Sequence, residues 1–259
     1  MKVDKKRAET VFYEYTSHYN AADEKVRLKI EHTLRVSRLC EQIAQEIGLP
    51  QEEAELAWLL GLLHDVGRFE QLRNYGTFND MESVNHAAYG ADILFREGKV
   101  RDYISEKTED ALLEKAIRFH NVYRLPEGLA EREKTFCCII RDADKIDILR
   151  ANIEFPLEKI YNVTTEELRQ AEVSEEVLEN FRQGRTSLRS GKRTVADSVV
   201  NQLAFAYELE YPVSLKIMVQ QGYLDQMLRF ESDNPVTKKQ FAVIRECMEQ
   251  FLKKRGNKI

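Results

Sequence analysis

Five histidines occur in 259 residues, and four of them, His32, His64, His86 and His120, fall on or beside stretches with the apolar spacing of buried helices, His18 being the exception. A lone histidine on an apolar helix is usually a hydrogen-bonded core residue. Here Asp65 follows His64 directly, and a second apolar helix carries the acidic run Asp142-Ala143-Asp144-Lys145-Ile146-Asp147. Burying several ionisable groups without partners is costly, whereas a divalent cation compensates carboxylate charge and accepts neutral imidazole nitrogen. Metal binding therefore explains more of this pattern than core packing does. Successive helical residues point about 100° apart, so His64 and Asp65 can reach one ion from neighbouring directions while Asp65 turns its second oxygen elsewhere. His32, His64, Asp65 and Asp144 around one ion, with Asp65, His86 and His120 around another, make two metals with positions left for water. The mixed nitrogen and oxygen donors suit Fe, Mn, Co, Ni or Zn better than Mg or Ca.

The elements that must position these groups are helices. Apolar residues at Val26, Ile30, Leu34, Val36, Leu39, Ile43 and Ile47 predict an amphipathic helix over 26–47, stopped by Gly48-Leu49-Pro50. A second helix is expected from Pro50 to near Gly67, with Glu52, Glu53 and Glu55 in its first turns. Its centre, Ala57 to Leu63, is apolar on nearly every side, which makes it a central core helix that delivers His64 and Asp65 from inside the protein. Residues 70–84 read as a loop that can cover a pocket. Helical spacing resumes over His86–Phe95, Asp110–His120 and Glu131–Asn152. Short helices are expected after Thr164 and Ser174, a long one over 195–221, and a last one over 234–254. The whole is expected to be a single all-α domain over 1–259, its core at about 26–150 and a C-terminal helical extension at about 151–259 packed on it.

If the second helix persists past Gly67, Arg68 lies three positions after Asp65 and four after His64, on the face that can clamp a phosphate. Lys145 can supply a second positive charge to phosphate oxygens, or form a structural ion pair with Asp142 or another acid. Arg118, two before His120, should turn away. Asp65, Arg68 and Lys145 are the expected catalytic residues. Arg73, Asn74, Tyr75 and Asn79 are weaker candidates for contacting substrate, with a solvated loop as the other reading. The basic cluster Arg182, Arg185, Arg189, Lys192 and Arg193 is either a solvated face or a holder of a polyphosphate or nucleotide.

The order H...HD...H...H...D, carried by EHTLRV around His32, LLGLLHDVGRFE around the HD pair, SVNHAAYGA around His86, IRFHN around His120 and RDADKIDIL around Asp144, resembles the HD-domain superfamily of metal-dependent phosphohydrolases over roughly residues 26–150. The resemblance implies an all-α helical bundle with the metal centre between helices, and ligand roles for His32, His64, Asp65, His86, His120 and Asp144. His86 and His120 match the additional ligands of its two-metal branch. The glycine-tyrosine-proline signature of the cyclic-di-GMP phosphodiesterases is absent, and Asn121 follows His120 where those enzymes carry a paired histidine. The activity implied is cleavage of a small phosphoester, a nucleotide being the expected type, by metal-activated hydroxide. The alternative is a mixed-valent di-iron oxygenase, because myo-inositol oxygenase and its kin also use an H...HD...H...H...D set. A catalytically silent module would lack some of the six ligands, and all six are present.

Composition excludes other classes. With 39 Lys plus Arg against 44 Asp plus Glu, the formal charge of −5 gives no global field for extended nucleic acid or an anionic membrane. Eleven glycines, five prolines and no low-complexity tract argue against fibrous or disordered chains. No stretch approaches the roughly 18 apolar residues of a membrane span, and the first residues carry no apolar run of signal-peptide length, so a cytoplasmic protein is expected. Cys40, Cys137, Cys138 and Cys247 lack CxxC spacing and read as buried thiols.

Overall fold

The computed structural model describes residues 1–161, 163–188 and 193–256, and among these there is no strand. The chain divides into two compact units, Met1–Asp144 and Lys145–Ile259. In the first unit the helices are α1 (Lys5–Thr16), α2 (Glu24–Glu46), α3 (Gln51–Leu63), α4 (Val66–Tyr75), α5 (His86–Ala91), α6 (Val100–Tyr103) and α7 (Asp110–Phe119). A π-helical turn, Asp92–Arg96, continues α5. Helix α8 (Glu131–Glu154) contains the division between the units. The second unit continues with α9 (Leu157–Tyr161), α10 (Thr165–Gln170), α11 (Glu175–Arg182) and α12 (Val195–Leu203). It ends with α13 (Pro212–Gln221), α14 (Tyr223–Leu228) and α15 (Pro235–Gly256).

Helix α3 is the centre of the first unit. Every residue from Leu56 to Leu63 is buried, as its all-round apolar composition requires. Helix α2 packs along it at backbone contact, because Gly61 has no side chain: a Cβ there would lie 2.5 Å from Ser37 Cα. A second glycine contact joins α4 to α5, where a Cβ on Gly67 would lie 2.3 Å from the His86 carbonyl oxygen and 2.6 Å from Gly90 N. Helix α1 is clamped by aromatics, with Phe12 and Tyr15 both edge-on to Phe69 of α4 at 6.1 and 5.9 Å between centroids.

Several boundaries differ from the sequence expectation, each for a local reason. The second helix ends at Leu63 rather than near Gly67. His64 and Asp65 form a turn, Asp65 leaving helical geometry at φ −106° and ψ 15°, before α4 begins. Residues 70–75, expected in a loop, complete α4, which stops where Gly76 takes φ +69° and its N–H bonds the Leu72 carbonyl. The expected helix over 195–221 is broken. Pro212 cannot continue a helix but suits a first turn, and α13 starts on it. Helix α1, absent from the sequence reading, is N-capped by Asp4, whose carboxylate accepts from Arg7 N at 3.0 Å.

In the second unit Thr164 closes a capping box with Glu167, as its sequence position suggested. Of the basic cluster, Arg182 pairs with Glu175 and Glu179, and Arg185 donates to Asn180, while Arg189 and Lys192 lie outside the described residues. Among the described residues no helix is long and apolar enough to cross a membrane. The four cysteines are free thiols, three buried and Cys247 half-buried.

Candidate metal centre

The six residues singled out from sequence converge in the first unit. His32 comes from α2, His64 and Asp65 from the turn between α3 and α4, His86 from the first position of α5, His120 from the end of α7, and Asp144 from α8. The four imidazoles and Asp65 are buried. Asp65 lies at the middle. Its Oδ2 is 3.5 Å from His64 Nε2 and 3.7 Å from His32 Nε2, whereas its Oδ1 is 3.5 Å from His86 Nε2 and 3.9 Å from His120 Nε2. Asp144 Oδ1 approaches His32 Nε2 to 3.1 Å and His64 Nε2 to 3.8 Å. Two groups have ligand atoms close enough to share one ion, His32 with His64 and Asp144, and His64 with Asp65 and His120.

The break after Leu63 makes this possible. Leaving helical geometry at Asp65 turns the carboxylate toward both histidine sets, and the Gly67–Gly90 contact then holds α5 against α4 so that His86 reaches Asp65.

The tautomers are set from outside the cluster. His64 Nδ1 donates to the Gly61 carbonyl at 2.8 Å, His120 Nδ1 to the Ile117 carbonyl at 2.7 Å, and His86 Nδ1 to Asp80 Oδ2 at 2.7 Å. In each ring the Nε2 therefore carries a lone pair aimed inward. Burial pushes the His64 pKa down to about 4 and that of His86 to about 3, and lowers that of His120, so these rings are neutral near pH 7.

The donor set fits a cation. His86 Nε2 and His120 Nε2 face each other at 3.0 Å with no proton available between them, an arrangement that repels unless a positive group is shared. His64 Nε2 and Asp65 Oδ1 are buried and have no hydrogen-bond partner. Imidazole nitrogen mixed with carboxylate oxygen is the ligand chemistry of divalent transition metals.

Lys29, which the sequence reading missed, donates to Asp65 Oδ2 at 2.7 Å. It lies three residues before His32 and so on the same face of α2, a spacing that could have disclosed it. Burial alone would raise the Asp65 pKa, but the Lys29 ammonium, the His64 and His86 rings and the Arg68 guanidinium outweigh it and hold the carboxyl well below the usual range.

Arg68 reaches the centre although the helix bearing it is a new one, its Nε 3.7 Å from Asp65 Oδ1. Its Nη1 donates to Phe78 O at 2.6 Å and Asp80 Oδ1 at 2.8 Å. Phe78 lies within cation–π distance of both Lys29 and Arg68, at 5.4 and 5.8 Å. The loop thus contributes Phe78 and Asp80 to the surroundings of Arg68. Arg73 and Asn74 bond Glu70, Tyr75 is half exposed, and Asn79 bonds within its own turn. Lys145, in the second unit, pairs with Glu208 at 2.8 Å, the ion-pair alternative. Arg118 pairs with Asp92 and Glu114.

Residues 30–149 match the HD domain family model. The chain is similar to HD domains over that stretch. That stretch encloses all six residues of the centre. A 67-residue stretch is also 34% identical to the 3'3'-cGAMP-specific phosphodiesterase 1 of Vibrio cholerae serotype O1, an alignment that covers 24% of this chain and 16% of that protein's length. No solved structure matches the chain significantly.

Proposed function

We propose that the HD domain of this chain is a metal-dependent phosphohydrolase that cleaves a small phosphoester of the nucleotide type, with two transition-metal ions held by His32, His64, Asp65 and Asp144 and by Asp65, His86 and His120. The observation that carries the reading is Asp65. Each of its oxygens faces a different pair of imidazole nitrogens, one pair being the mutually facing His86 and His120. Such ions, when bound, supply a water of lowered pKa and stabilise charge on phosphoryl oxygens. The relative in Vibrio cholerae, named for a cyclic dinucleotide, supports a nucleotide phosphodiester as the substrate class.

The chain's own residues do the rest. The Gly61 and Ile117 carbonyls and Asp80 keep a proton on Nδ1 of His64, His120 and His86, which leaves Nε2 basic and unprotonated near neutral pH. Lys29 and Arg68 place an ammonium and a guanidinium group beside Asp65, where they offset the charge of an incoming phosphate. Arg68, held by Phe78 O and Asp80, is oriented in advance of substrate and is the proposed clamp on nonbridging oxygens.

The test is hydrolysis of a panel of nucleotide monoesters, linear dinucleotides and cyclic dinucleotides by anaerobically prepared Mn-loaded protein, with Asp65→Ala as background. Product from wild type alone is expected. Silence across the panel, joined to oxygen consumption by the iron-loaded protein, would transfer the centre to oxygenase chemistry.

A further inference from the structure

Asp80 is part of no expected ligand set, yet four donors engage its carboxylate. Its Oδ1 accepts from Arg68 Nη1 at 2.8 Å and from Gln71 Nε2 at 2.9 Å. Its Oδ2 accepts from His86 Nδ1 at 2.7 Å and from Asn121 Nδ2 at 3.2 Å. A carboxylate offers about four lone-pair positions, and here four donors fill them. The donors come from α4, from the start of α5 and from the end of α7, so one loop side chain gathers three elements of the centre. Gln71 is fully buried and also reaches Ser83 Oγ and Val84 O at 2.8 and 3.0 Å, tying the loop that carries Asp80 to α4.

We propose that Asp80 is a positioning residue that couples metal binding to phosphate recognition, one oxygen fixing His86 as the Nδ1–H tautomer and the other fixing the Arg68 guanidinium. The inference rests on the two-metal phosphohydrolase reading for its consequence in catalysis, but its structural half stands apart from that reading. Only a ring protonated on Nδ1 can turn an Nε2 lone pair toward His120 and Asp65. The atom facing Arg68 at Oδ1 must be an acceptor, since a guanidinium has none of its own, and Oδ1 joins the Phe78 and Gln71 oxygens in holding Nη1. Outer partners of this kind, when removed, weaken metal affinity by about 10- to 100-fold.

Asp80→Asn separates this role from simple loop packing. The amide is isosteric, and because Arg68 can only donate, the amide oxygen must stay with Arg68 while its NH2 turns to His86. His86 then accepts at Nδ1 and carries its proton on Nε2, where it points at His120 instead of at a cation. Asp80→Ala removes more packing but leaves His86 Nδ1 free to donate to water. The variant that changes less volume should therefore bind metal worse.

Imidazole 15N spectra of the metal-free 259-residue protein, with the His86 signals assigned by His86→Gln, read the tautomer directly. Titration with MnCl2 reads the affinity and stoichiometry. The expected results are an Nδ1–H ring in wild type, an Nε2–H ring in Asp80→Asn, and a second-ion affinity that falls at least 10-fold in Asp80→Asn and less in Asp80→Ala. An unchanged tautomer in Asp80→Asn, or a greater loss of affinity in Asp80→Ala than in Asp80→Asn, overturns the proposal. If Asp80→Asn fails to fold, an Nδ1–H ring that becomes a tautomer mixture in Asp80→Ala supports it, and an unaltered ring there overturns it. A wild-type protein that binds no Mn2+ while its His86 tautomer still depends on Asp80 would sink the phosphohydrolase reading and leave the role of Asp80 in place.

Discussion

Asp65 concentrates the chemistry of the centre, because Lys29, Arg68 and all four buried imidazoles approach one or the other of its oxygens. Asp65→Ala is expected to remove metal and turnover together, as read by metal analysis and phosphate release; retention of either would contradict its role. Lys29 is the counter-charge of the same carboxylate. Truncating one partner of a buried ion pair typically costs about 3–5 kcal/mol, since the other charge is left uncompensated. Lys29→Met should therefore destabilise the metal-free protein by that order in urea unfolding, and Mn2+ should restore much of the loss. Equal destabilisation with and without Mn2+ would mean that Lys29 serves packing alone. The six histidine and aspartate positions were legible in the sequence because buried ionisable groups on apolar helices are rare enough to stand out. Lys29 and Asp80 were not, since a lysine on an amphipathic helix and an aspartate in a polar loop are the ordinary residues of those places until their partners are seen.

At the scale of elements, the two glycine contacts set how closely the helices that carry the ligands can approach. Gly67→Ala would drive a methyl into the His86 carbonyl, and the move it forces separates α4 from α5 just where His86 meets Asp65. Overpacking of this kind typically costs about 1–3 kcal/mol. The variant should lose stability by that amount in urea unfolding and lose affinity for one of two ions; full affinity with lowered stability would show that the contact serves the fold and not the site. The helices themselves were largely legible from apolar spacing. Two features were not. The break at His64–Asp65 lies in an apolar stretch where periodicity carries no signal, and α1 has a short core-facing face of Ala8, Phe12 and Thr16 among exposed charges. The break over 195–221 was legible in principle, in Pro212.

For the whole molecule, the buried centre makes the metal-free protein sensitive to acid. The His64 pKa of about 4 and the His86 pKa of about 3 lie below the unfolded value of about 6.5, so on acidification the unfolded chain takes up these protons first. Stability is full above about pH 6.5 and falls as pH drops, by about 1.4 kcal/mol per pH unit for each such ring, down to about 4 for His64 and about 3 for His86. Asp65 and Asp144, both held below the usual carboxylate range, extend the loss in the same direction at lower pH. In EDTA the urea midpoint should therefore be lower at pH 5 than at pH 7.5. Equal midpoints would contradict neutral, buried rings. Bound metal should raise the midpoint at both pH values by mass action.

The arrangement around Asp65 is tested most directly by anomalous diffraction from crystals of the full chain soaked in MnCl2, recorded at the manganese edge. Two peaks are expected, one on each side of the Asp65 carboxylate, the first among His32, His64 and Asp144 and the second beside His86 and His120. A single ion that leaves His86 and His120 unligated, or manganese bound only away from Asp65, would contradict the two-ion centre.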